Sequence, residues 1–146
     1  MKQVQKILFP VDFASDFQGL VPWVSAFAEK FGATVYVLFV TQDLSNFSTF
    51  FVPHSNIQNF QEEAVGSARK KMAAVAKDLF KDFPKLETRV EVGSPAVKIL
   101  ELANKEKIDL IIMGVHGRKG LDRAIFGSVA DKVVQSAPCP VITVRP

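Results

Sequence analysis

The sequence predicts an α/β fold in which one parallel sheet is packed between two layers of helices. Short, continuous apolar runs such as Ile7 to Val11 and, after Asp109, Leu110 to Met113 suit strands buried on both faces. Between such runs lie segments whose apolar residues recur every three or four positions, the period of an amphipathic helix. Strand and helix alternate five times along the chain, which implies right-handed parallel crossovers and a three-layer sandwich.

Taken in order, the first strand ends at Asp12, whose carboxylate suits either a ligand contact or a cap on the turn that follows. From Ser15 to Phe31, Leu20, Trp23, Val24, Phe27, Ala28 and Phe31 form one apolar stripe. Pro22 interrupts that helix, because its ring clashes with the preceding turn and it has no N–H to donate, so the helix should kink there or start late. Gly32 supplies the stop, and Thr34 to Val40 makes the second strand. Asp43 to about Phe60 shows no sustained period and reads as a long loop, with His54 a loop histidine lacking partners at metal-ligand spacing. Its phenylalanines Phe47, Phe50 and Phe51 either fold over a pocket rim or a partner surface, or pack locally on the sheet. Glu62 to Phe83 is the clearest amphipathic helix, with Val65, Ala68, Met72, Val75, Ala76, Leu79 and Phe80 on one face. Leu86 to Val92 alternates as a half-exposed strand would, suiting a sheet edge. Ser94 as N-cap and Pro95 at the first helical position then open a helix that turns Ala96, Ile99, Leu100 and Ala103 inward. The fourth strand follows at Asp109 to Met113, a further helix opens at Ser128, and Pro140 to Arg145 is the last strand.

Composition limits what the chain does. Its 146 residues, 48% hydrophobic and 23% charged, suit one globular domain. The net charge of +3 comes from scattered lysines without a basic run, so nucleic acid is not an expected partner. Cys139 is the single cysteine, which fits a reducing compartment. After Met1 to Lys6 only five consecutive apolar residues follow, too few for a signal peptide or a membrane span. A cytoplasmic location without membrane association is expected.

The chemistry is concentrated after the fourth strand, where Met113-Gly114-Val115-His116-Gly117 is followed nine residues later by Gly127-Ser128-Val129. Small residues there let backbone N–H groups approach an anion, and the helix opening at Ser128 offers unpaired N–H groups and the positive end of its dipole. Neither a G-x4-G-K-[ST] run nor a G-x-G-x-x-G fingerprint is present. The G-x2-G-x9-G-S spacing resembles the nucleotide-binding signature of the universal stress protein family, in its ATP-binding branch. Lys6 to Phe13, Val35 to Val40, Gly93-Ser94-Pro95 and Ala137 to Val144 also resemble family segments in family order. The likeness fades only between Thr41 and about Gln61.

This resemblance implies the strand order 3-2-1-4-5 of the Rossmann-like, adenine nucleotide alpha hydrolase-like architecture. In that order winding reverses between strands 1 and 4, leaving a ligand crevice at their carboxyl ends. It further implies that Asp12, after Pro10 and Val11, meets the ribose or base, that Val40 meets adenine, that the turn of Gly114 and Gly117 and the helix start at Gly127 and Ser128 hold the phosphates, and that Pro10, Val11, Met113, Arg118 and Val129 also bind the nucleotide, with His116 a donor to phosphate or ribose. Each has a plainer reading. Val40 is otherwise a core valine, His116 a turn residue, and Arg118, Lys119 and Arg123 solvated cations. Ser128 with Asp131 also fits a simple capping box.

The expected ligand is ATP, with any Mg²⁺ held mainly by phosphates rather than side chains. The expected role is a stress-response or regulatory module that acts as a ligand-dependent switch; the alternative is a slow ATPase or other nucleotide-using enzyme. A homodimer is expected through Pro140 to Arg145, an edge without protective lysines or bulges, and a family tendency to pair there agrees. If the Phe47–Phe51 loop covered that edge, the chain would be a monomer.

Overall fold

The computed structural model describes residues 2–115 and 127–145. In chain order the elements are β1 (Lys6–Pro10), α1 (Val21–Phe31), β2 (Thr34–Thr41), α2 (His54–Leu79), β3 (Leu86–Val92), α3 (Pro95–Lys105), β4 (Leu110–Gly114), α4 (Ser128–Ser136) and β5 (Val141–Val144), with 3-10 turns at Gln18–Leu20 and Ser45–Phe47. All pairs in the five-stranded sheet are parallel, in the order β3-β2-β1-β4-β5. The expected fold and order are present.

Because successive side chains of a strand point to opposite faces, each strand feeds two cores. Ile7, Phe9 and Val11 join Val35, Val37, Leu110 and Ile112 against α1 and α2, where Val24, Ala28, Met72 and Phe80 close the layer. Leu8, Tyr36, Leu38, Ile111 and Met113 face α3 and α4, meeting Ala96, Ile99, Leu102, Ala130 and Val133. The uninterrupted apolar runs therefore follow from burial on both faces. No helix among the described residues is long and apolar enough to cross a membrane.

Several boundaries and faces differ from the sequence expectations. Helix α1 starts late, with Pro22 in its first turn, where a missing N–H is harmless. Gly32 ends it in the left-handed region (φ 63°), its N–H bonding back to the carbonyls of Ala28 and Glu29. Trp23 and Phe31 are half-exposed rather than core residues, since Val24 and Ala28 suffice to cover the sheet. On α3 it is Leu102, not Leu100, that is buried with Ala96, Ile99 and Ala103.

The largest difference is at α2, which begins at His54 instead of near Glu62 and runs for 26 residues. His54 is thus a first-turn helical residue. Extended Pro53 opens the helix, its carbonyl accepting from Asn56 and Ile57, and Ile57 is buried, as Ala68 and Met72 are further along the helix. The remaining loop carries a tight turn in which Thr49 and Val52 exchange backbone hydrogen bonds, each 3.1 Å. Phe50 and Phe51 at its tip are 95% and 88% exposed. They neither pack on the sheet nor cover β5, which lies at the far edge.

Phe80 is 1% exposed and packs edge-on to Phe9 and Phe83. Phe80→Ala should therefore cost about 3–5 kcal/mol, whereas Phe50→Ala should stay within about 0.5 kcal/mol of wild type. Urea denaturation with unchanged slope checks both.

Candidate functional site

The sheet opens at its centre. Strand β1 pairs with β2 as far as Pro10↔Leu38, and Val11 N–H extends that edge by donating to Leu38 O at 2.8 Å. Against β4, however, β1 pairs only through Ile7↔Leu110 and Leu8↔Ile111. Beyond that point β4 stays with β5 as far as Gly114↔Val144. The carboxyl-terminal halves of β1 and β4 are therefore not joined, and this is the point where winding reverses. A crevice at such a switch point is the usual ligand position in an open α/β sheet.

Asp12 stands on the β1 side and is exposed. Its Oδ1 accepts the Ala14 N–H at 2.9 Å, and its carbonyl accepts from both the N–H and the hydroxyl of Ser15. The capping reading is thus realised in part, and among the described residues Oδ2 meets no donor. Phe13 anchors the turn behind it by stacking on Phe39, ring centroids 4.3 Å apart. Pro10 is half-buried at the strand end, and Val11 is buried.

Across the crevice Met113 is buried against the α3–α4 layer and Gly114 is half-buried. No unusual backbone angle accounts for glycine at 114; the left-handed glycines described are Gly32 and Gly93. Space accounts for it. A Cβ there would lie 2.9 Å from Leu20 Cδ1, so Leu20, in the 3-10 turn before α1, packs into the space of the missing side chain.

Gly127 is the N-cap of α4, and Ser128 its first residue. The first helical bond runs from Asp131 N–H to Gly127 O, so the N–H groups of Ser128, Val129 and Ala130 have no intrahelical acceptor. The capping-box reading fails: no side chain among the described residues caps the helix, and both Asp131 oxygens accept from Gln135 Nε2 at 3.2 Å. Val129 is half-buried on the α3–α4 core. His116, Gly117 and Arg118, like Lys119 and Arg123, lie outside the described residues.

Val40, half-buried near the end of β2, borders a groove of ≈ 480 Å³ with Gln42, Asp43, Gly93, Ser94 and Pro95. The last five were missed as site residues. Gln42 and Asp43 look like an ordinary loop start, and Gly93-Ser94-Pro95 looks like a helix start alone. Hydrogen bonds from Ser45 hold the Asp43 carboxyl below its ordinary range. Among the described residues no group of three or more His, Cys, Asp or Glu side chains is placed to hold a metal ion. Burial and the Asp109 carboxylate push the Cys139 thiol up, with Lys2 opposing, so a reactive thiolate is disfavoured.

Sequence comparison matches residues 3–145 to the universal stress protein family. The chain belongs to that family. A universal stress protein of Methanocaldococcus jannaschii is 34% identical over 143 residues, covering 97% of this chain and 82% of the relative. The universal stress protein UspA of Lactobacillus plantarum superimposes with a TM-score of 0.82 at 28% identity, covering 99% of this chain and 100% of that one. The fold is shared too with a family member from Archaeoglobus fulgidus solved in complex with dAMP, with a TM-score of 0.66 at 21% identity over 95% of this chain and 96% of that one.

The contact at Gly114 gives a direct test. Gly114→Ala should destabilise the protein by about 1–3 kcal/mol through overpacking. Combined with Leu20→Ala, the total loss should fall short of the sum of the single losses by about 1 kcal/mol or more. Chemical denaturation of the four proteins checks this, and strict additivity would separate the two residues.

Proposed function

We propose that this universal stress protein binds ATP across the β1–β4 crevice and acts as a regulatory, stress-response module whose conformation depends on the ligand. The observation that carries this reading is the early end of the β1–β4 ladder, with an exposed carboxylate on one side and an uncapped helix start on the other. Adjacent strands are about 4.8 Å apart. The ends of β2 and β1 therefore offer an apolar rim at Val40 and an acceptor at Asp12, and the start of α4 offers backbone donors at Ser128 and Val129. That sequence matches base, ribose and phosphates.

A carboxylate repels polyphosphate but accepts from ribose hydroxyls. Helix N-terminal donors favour phosphate oxygens. The proposed site comprises Pro10, Val11, Asp12, Val40, Met113, Gly114, His116, Gly117, Arg118, Gly127, Ser128 and Val129, with Mg²⁺, where present, held mainly by the phosphates. The dAMP complex of the Archaeoglobus relative supports an adenine nucleotide as the ligand class. The protein would work in the cytoplasm.

The proposed assembly is a homodimer through β5. Val141 faces one core while Ile142 and Val144 face the other, and all four strand residues are only half-buried. An apolar edge strand of this kind pairs readily, and a second copy running antiparallel would close it about a two-fold axis.

Titration calorimetry should show ATP binding by wild type. Asp12→Ala should weaken ATP and adenosine alike, by about tenfold, while Gly127→Val should weaken ATP and spare adenosine. Loss of ATP binding with adenosine unchanged in Asp12→Ala would place that carboxylate elsewhere. For the assembly, light scattering should give twice the chain mass at tens of micromolar protein, and deletion of residues 142–146 should halve it; a monomeric intact chain would remove the β5 interface.

A further inference from the structure

Phe13, the residue after Asp12, is held by three neighbours. Its ring stacks on Phe39 of β2, with centroids 4.3 Å apart and 23° between the planes, and meets Phe17 edge-on at 6.0 Å. The ammonium of Lys71, on α2, lies over the same ring, 5.4 Å from its centroid. Phe13 and Phe39 are both half-buried and pack against the core between the sheet and the α1–α2 layer.

The turn that carries Asp12 closes around this residue. Ala14 N–H donates to Asp12 Oδ1 at 2.9 Å, and the Ser15 N–H and hydroxyl donate to the Asp12 carbonyl at 3.0 and 2.9 Å. All of these bonds are internal to the turn. They orient the carboxylate relative to the turn, but they do not fix the turn relative to the sheet. Asp12 and Ala14 are themselves exposed, so the Phe13 ring is the side chain between them that ties this backbone to β2 and α2.

We propose that Phe13 is a positioning residue of the nucleotide site: clamped by Phe39, Phe17 and Lys71, its ring fixes the Asp12 carboxylate at the carboxyl end of β1 and makes α2 part of that support. The proposal rests on the reading that Asp12 accepts from the ribose of a bound nucleotide. An acceptor fixed before binding lowers the ordering cost that the ligand must meet. A loosened turn would have to be reordered by the ligand, so the loss falls on any ligand that carries the ribose. The start of α4, which offers donors to phosphates, is not part of the clamp, and a bare triphosphate should not sense it.

The test is calorimetric titration of adenosine, ATP and inorganic triphosphate into wild type, Asp12→Ala, Phe13→Ala, Phe13→Tyr, Lys71→Met and the double variant Asp12→Ala/Phe13→Ala. Phe13→Ala should weaken adenosine and ATP by about fivefold and leave triphosphate unchanged. Phe13→Tyr keeps the ring and should restore wild-type affinity. Lys71→Met removes the cation but keeps an apolar stem, and should weaken adenosine by about twofold. The double variant should bind adenosine no more weakly than Asp12→Ala, because nothing is left to position. Independent, multiplying losses in the double variant would overturn the proposal, as would unchanged adenosine affinity in Phe13→Ala or a matching loss of triphosphate; the effect of Asp12→Ala on wild-type binding stands in each case. Were Phe13→Ala not to fold, unchanged adenosine affinity in Lys71→Met would overturn the clamp. Wild type that binds neither adenosine nor ATP would overturn the nucleotide reading and the positioning role together.

Discussion

Everything in this fold depends on the burial of β1 at the centre of an all-parallel sheet. Ile7, Leu8 and Phe9 are fully buried, so helices must cover both faces, and parallel connections can supply them only by crossing over. Strands β1 and β2 are joined through α1 on one face, whereas β4 and β5 are joined through α4 on the other. The chain must change direction somewhere. It does so between β1 and β4, where pairing ends after Leu8↔Ile111. A discontinuity that would be a defect in a purely structural sheet thus leaves the carboxyl ends of two strands parted, with the exposed Asp12 carboxylate beside them.

The anchoring of the opposite end of the same strand pair explains how the opening is tolerated. Asp109 Oδ2 accepts the backbone N–H groups of Gln5 and Lys6 at 2.9 and 3.1 Å, and Lys6 Nζ donates to the Glu106 carbonyl. These contacts fix β1 against β4 at their amino-terminal ends. The carboxyl ends are then free to part without loss of register, because a one-residue slip would exchange the two cores. Rigidity at one end and separation at the other are the same constraint.

Features governed by local rules were legible in the sequence. Continuous apolar runs gave the strands, Gly32 gave a helix stop and Ser94-Pro95 gave a helix start, since each reflects backbone preference or burial of both faces. Features governed by tertiary context were not. The first turns of α2 contain Ser, Asn and Gln with no sustained period, and Ile57 is their one buried residue. Trp23 and Phe31 fit the stripe of α1 but lie at its margins, so spacing could not separate covered from uncovered positions. Asp131 sits at capping-box spacing, yet Gly127 is the N-cap and Gln135 takes the carboxylate. Gly114 was legible as important for a reason that differs from the structural one, because Leu20 is remote in sequence and meets it only through the fold.

Asp12 and Asp43 illustrate how a carboxylate is oriented at a protein surface without being buried. Each carboxylate has one oxygen fixed by a backbone N–H two residues ahead, from Ala14 and Ser45 respectively. Such short-range turns form readily, because aspartate bonds to its own neighbouring backbone, and they orient the side chain at little entropic cost. Full burial would impose a desolvation penalty on each charge, whereas both are exposed to solvent where they stand. The cost of exposure is weaker attraction in high dielectric. Any contact that either carboxylate makes then depends on geometry more than on charge, which is why the short-range turn that orients each one matters.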